Sequence, residues 1–112
     1  MARVSCDWFT EPLFCVAVHD GPLFCVGESA VHVQGVAGGD VRIEARPGYA
    51  RAVVNDIEIT IEYDKSHPHA VVRRGDCDAR LSLDCSEASP FMETRACGLH
   101  IEFYIRDVDD ED

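Results

Sequence analysis

The chain has one lysine, one tryptophan, one asparagine and one glutamine in 112 residues, and no long apolar run. No segment approaches the roughly 18 consecutive apolar residues that a membrane-spanning helix needs, so that architecture is excluded. Six cysteines at positions 6, 15, 25, 77, 85 and 97 include no C-x-x-C pair, the spacing that sets two thiolates on one tight turn around zinc. The serines form no G-x-S-x-G elbow, and the glycines form neither a Walker pattern nor a dinucleotide fingerprint. Basic charge is also scarce. Ten Lys and Arg against twenty-one Asp and Glu leave a net charge of −11 and a pI near 4.7. That field repels phosphates and anionic lipid and favours basic partners, so direct binding to nucleic acid or a membrane surface is not expected.

What is present is a two-residue rhythm. In Leu99 to Arg106 the residues Leu99, Ile101, Phe103 and Ile105 alternate with His100, Glu102, Tyr104 and Arg106. The same period runs through Val41–Arg46, Ile57–Tyr63 and Arg80–Cys85. Successive side chains of a strand point to opposite faces, so the pattern marks half-buried strands. Pro12-Leu13-Phe14-Cys15-Val16 returns as Pro22-Leu23-Phe24-Cys25-Val26 around His19-Asp20-Gly21, which predicts a hairpin with arms apolar on both faces. Further strands are expected at 30–36, 41–46, 50–54, 57–63, 69–73, 79–85 and 99–106. The Gly38-Gly39 turn predicts a second hairpin between 30–36 and 41–46. Ser89-Pro90 resembles a helix start and Gly98 a C-cap, so one short helix near 90–97 is expected.

Eight to ten such strands in a chain of this length predict one all-β domain over 1–106, an antiparallel sandwich or partly closed barrel with jelly-roll-like topology open to it. Residues 107–112, with five acids in six positions, read as a frayed acidic tail. A β-sandwich with an acidic tail resembles the jelly-roll histone chaperones in general plan alone. The N-terminus shows no signal-peptide pattern, and the cysteines of the apolar arms read as reduced, buried thiols in a cytoplasmic protein.

The chemistry-bearing residues are few. His67-Pro68-His69 is the most ligand-like pair, but arginines 73 and 74 stand where a carboxylate ligand would be expected. Cys77 and Cys85 would lie about 25 Å apart along an extended strand, too far to pair within it. Cys97 has only Arg95 nearby to activate a thiolate. No catalytic residue, cofactor or metal ligand is therefore assigned. A docking surface is expected instead. Glu58 and Glu62 share one strand face, Glu102 would join them if its strand were the neighbour, and Asp107, Asp109 and Asp110 would extend the patch. His100 and Tyr104, with Trp8-Phe9, would supply its aromatic part. The function expected is a non-enzymatic module that docks on, and inhibits, a basic protein, as viral or phage antagonists and immunity proteins do. Two alternatives stand beside it: a metal- or small-ligand-binding barrel built on His67, His69 and His100, and a self-associating structural protein whose edge strands pair between subunits.

Overall fold

A computed structural model describes residues 12–27, 30–35, 40–63, 68–83 and 91–107. Ten strands form two antiparallel five-stranded sheets: β1 (Pro12–Val18), β2 (Leu23–Val26), β3 (Val31–Gln34), β4 (Val41–Arg46), β5 (Tyr49–Val54), β6 (Ile57–Glu62), β7 (His69–Arg74), β8 (Cys77–Ser82), β9 (Phe91–Ala96) and β10 (Leu99–Asp107). The first sheet has the order β3-β2-β1-β10-β9 and the second β4-β5-β6-β7-β8. The sheets face each other as an open sandwich and do not close into a barrel. The second sheet is a simple meander, whereas the first joins the β1–β2–β3 meander to the β9–β10 hairpin through the long-range β1–β10 pairing, and neither is a jelly roll. The chain changes sheet only after β3 and after β8, once at each side of the sandwich.

The predicted alternation places the core. Phe14, Val16 and Val18 of β1, Phe24 and Val26 of β2, and Ile101, Phe103 and Ile105 of β10 point inward from the first sheet. They meet Ile59, Ile61, Val72 and Leu81, together with Ala50, Ala52, Ala70 and Ala79, from the second. Small alanines opposite large phenylalanines let the two layers interlock at native density. β1 is the middle strand of its sheet. Its outward residues Leu13 and Cys15 are buried too, beside Cys25, as a strand apolar on both faces requires.

Three expectations are corrected. Positions 91–96 form strand β9, not a helix. Its hairpin to β10 turns at Cys97 (φ 58°) and Gly98 (φ 73°), the paired left-handed residues of a two-residue hairpin loop. A left-handed glycine serves a helix C-cap and such a turn equally well, and this ambiguity misled the reading. Pro90 lies outside the described residues. Second, β3 and β4 do not pair: β3 bonds to β2, β4 bonds to β5, and each is the edge of a different sheet. One wet face and one dry face suit an edge strand as well as a hairpin arm.

Third, the thiols are not reduced. Cys15 and Cys25, directly opposite on β1 and β2 with Cα atoms 4.1 Å apart, form a disulfide, and so do Cys77 and Cys97, with Cα atoms 5.5 Å apart. Both separations fall at or near the range a disulfide spans. The second crosslink ties β8, the edge of one sheet, to the β9–β10 turn of the other. Arg74 reinforces this pole of the sandwich, donating to Asp56 at 3.3 Å and to the Cys97 carbonyl at 3.5 Å. Cys6 and Cys85 lie outside the described residues. No helix among the described residues is long and apolar enough to cross a membrane.

Candidate functional site

Where the carboxylates go follows from the sheet order. β6 and β10 belong to different sheets, so Glu58 and Glu62 stand on one outer face of the sandwich and Glu102 on the other. The expected continuous carboxylate face does not exist. The outer face of the second sheet carries Glu44, Glu58, Glu62 and Asp78 among Arg42, Arg46, Arg51, Arg73 and Arg80. Arg51 donates from Nε to Glu58 at 2.9 Å and lies 3.7 Å from Glu44; Asp78 lies 3.9 Å from Arg73. The hydrogen bond to Glu58, and then its charge, hold the Arg51 pKa above its ordinary value. Glu62 sits 2.8 Å from His69. This face is laced with opposite charges, and exposed pairs of this kind contribute little to stability.

The outer face of the first sheet divides in two. Its apolar part is the Leu13, Cys15 and Cys25 cluster, against which Leu23, Ala30 and Tyr104 pack. Phe91 stands opposite Tyr104 and is 53% exposed. The aromatic patch expected around Tyr104 therefore begins with Phe91; Trp8 and Phe9 lie outside the described residues.

Its polar part gathers four titratable side chains from three elements. His100 and Glu102 are two residues apart on β10 and share a face. Glu93 of β9 is the cross-strand partner of Glu102. His19 lies just past β1, and its N–H donates to the His100 carbonyl at 2.9 Å, which extends the β1–β10 ladder by one bond. The two imidazoles stack with centroids 3.9 Å apart. Nε2 of His19 is 3.1 Å from Glu102, and Nε2 of His100 contacts Glu93. One donor atom from each of His19, His100 and Glu102 falls within a 4.8 Å span.

Of the residues singled out from sequence, His100 and Glu102 are brought together, Tyr104 lies two residues along the same face, and Glu58 and Glu62 are on the opposite side. Asp107 ends β10 opposite Pro12; Asp109 and Asp110 lie outside the described residues. The histidine set expected for a metal barrel is not assembled, because His69 is on β7 and His100 on β10, in different sheets. His67 lies outside the described residues. His19 and Glu93 escaped sequence reading. His19 was absorbed into a turn signal, and only the β1–β10 register, across some eighty residues, brings it to His100.

A further feature lies at the pole where β1 begins and β10 ends. An open cleft of about 640 Å³ there is lined by Phe14, Val31, Ala45, Pro47 and Tyr63 among others. No protein-family model, curated protein or solved structure matches the chain.

Proposed function

We propose that the protein is a non-enzymatic recognition module that binds a basic protein segment at the pole bearing the apolar cleft, and so blocks its partner as an antagonist or immunity protein does. The distribution of charge carries this reading. The described residues hold eleven acids and eight bases, a balance of −3 in a chain of −11. The remaining ten acids belong to 1–11, 28–29, 64–67, 84–90 and 108–112. The described residues next to these stretches, Pro12, Gly27, Ala30, Tyr63, Pro68, Leu83, Phe91 and Asp107, lie at the cleft-side ends of their strands. The opposite pole carries the four aspartates Asp20, Asp40, Asp56 and Asp76, with Arg74 bonded to Asp56. The sheet faces are thus near neutral, and the larger part of the excess, −8 from ten acids with Arg3 and Lys65, belongs to chain adjoining the cleft-side strand ends. Charge concentrated around an apolar cleft speeds encounter with a cationic partner, and the cleft supplies the desolvated anchor site.

The expectation of a cytoplasmic location rested on the lack of a signal-peptide pattern and was joined to that of reduced thiols. Two disulfides among the described residues suit an oxidising compartment instead, which directs the search for partners to exported and cell-surface proteins.

Fluorescence anisotropy with Arg-rich peptides carrying one Leu or Trp tests the proposal. Binding is expected to weaken at least tenfold between low and moderately high salt. It should weaken similarly on replacing Asp109, Asp110, Glu111 and Asp112 by their amides, and be unchanged by Glu58→Gln with Glu62→Gln. Binding insensitive to the tail change, or equally sensitive to the sheet-face change, defeats the proposal.

A second reading, self-association, is favoured by the edge strand β4. All six of its residues are exposed, including Val41 at 38% and Ile43 at 49%, and its outer edge has no neighbour in its sheet. The segment Asp40-Val41-Arg42-Ile43-Glu44-Ala45-Arg46 is a charge palindrome about Ile43. Antiparallel pairing with a second copy sets Asp40 against Arg46, Arg42 against Glu44, Val41 against Ala45, and Ile43 against itself. A two-fold interface requires such self-complementarity, and unprotected edges invite pairing. Light scattering is expected to show a dimer that Ile43→Lys converts to monomer. A parent protein monomeric at high concentration removes this reading.

A further inference from the structure

We propose that His19, His100, Glu93 and Glu102 form a binding site for one divalent transition-metal ion, with Zn²⁺ the best fit. The argument starts from the backbone. The register sets the four side chains in a zigzag across three neighbouring strands, with His19, just past β1, beside His100 of β10 in one row and Glu102 of β10 beside Glu93 of β9 in the next. Two imidazole nitrogens and two carboxylates make a borderline donor set suited to zinc and its first-row neighbours. Donor atoms around tetrahedral zinc are about 3.3 Å apart when each bond is about 2.0–2.1 Å. The donor atoms of His19, His100 and Glu102 lie within 4.8 Å of one another, and Glu93 reaches the group through its contact with His100. The side chains of His100 and Glu102 are 22% and 27% exposed, so an ion has access and the ligands are partly held.

A second observation concerns charge. Glu93 and Glu102 are directly opposite on neighbouring strands, an arrangement that β-sheets disfavour for like charges. One divalent ion answers this repulsion. Its two positive charges balance two carboxylates, and neutral imidazoles donate their lone pairs. Arg95, opposite His100 on the other side from His19, is the one cation in these rows, and it is exposed.

Isothermal titration of the intact, oxidised protein with zinc chloride is expected to show one ion per chain with micromolar affinity. His19→Ala and His100→Ala should each weaken binding at least tenfold with an unchanged circular dichroism spectrum, while His32→Ala and His69→Ala should not. Cobalt(II) is expected to give the intense visible absorption of a four-coordinate ion. In the unaltered protein, zinc should selectively shift the imidazole NMR signals of His19 and His100. Absence of stoichiometric binding, persistence of binding in the His19→Ala, His100→Ala double variant, or zinc-induced shifts confined to other histidines overturns the proposal. Arg95→Gln is expected to bind at least as tightly as the parent. A loss of binding there points to an anion site and overturns it equally.

Discussion

Breaking the crosslink at the β8–β9 side, by Cys77→Ala with Cys97→Ala, is expected to lower the free energy of unfolding by about 3 kcal/mol. The disulfide joins residues 20 apart in sequence, and the loop-closure entropy it removes from the unfolded chain is roughly that size. Its position adds to its importance. At this side the chain passes from one sheet to the other, and the crosslink holds an edge strand to the opposite sheet's turn. The Cys15–Cys25 bridge closes a shorter loop, with a separation of 10, and the same relation gives it slightly less, about 2.7 kcal/mol. Small domains have a total stability of about 5–15 kcal/mol, so loss of both bridges should leave the protein marginal. Denaturant unfolding with and without a reductant checks this. A midpoint unmoved when thiol titration shows four additional free thiols would mean the crosslinks contribute nothing.

Phe103→Ala is expected to cost about 3–5 kcal/mol, the range for emptying a large aromatic site in a packed core. Phe103 has no exposed surface and sits on β10 between Val16 of β1 and Met92 of β9. The sheet it faces is lined in part by alanines, which are too short to reach into the space its ring would leave. The cavity would stay open, and cost rises with residual cavity volume. Urea unfolding monitored by circular dichroism measures the change. A loss under about 1 kcal/mol would show that this part of the core collapses readily and would weaken the interlocking account.

How far the fold was legible depended on the range of the signal. Strands β4 to β7 and β10 were visible because alternation is local. The echoed arms of β1 and β2 gave a correct hairpin for the same reason. Pairing beyond the hairpin was not legible. Nothing in Val31–Gln34 and Val41–Arg46 distinguishes partners from opposing edges, and Phe91–Ala96 alternates too weakly to outvote a misleading glycine. The disulfides were missed because Cys15 and Cys25 resemble core hydrophobes until the register sets them opposite each other. The polar cluster was half legible. His100 and Glu102 fall on one face by period alone, but His19 and Glu93 join them only through strand pairing.

β1 occupies the centre of its sheet, yet one of its two neighbours is β10, synthesised more than eighty residues later. The contact order of that sheet is therefore high, and folding should be slow for the size of the chain. On the ribosome, β4 to β8 can complete their meander from local pairings as they emerge. The hairpin of β1 and β2 must instead wait with the outer edge of β1 unpaired until β10 arrives. Nascent chains are thus most open to aggregation and chaperone capture before β10 emerges.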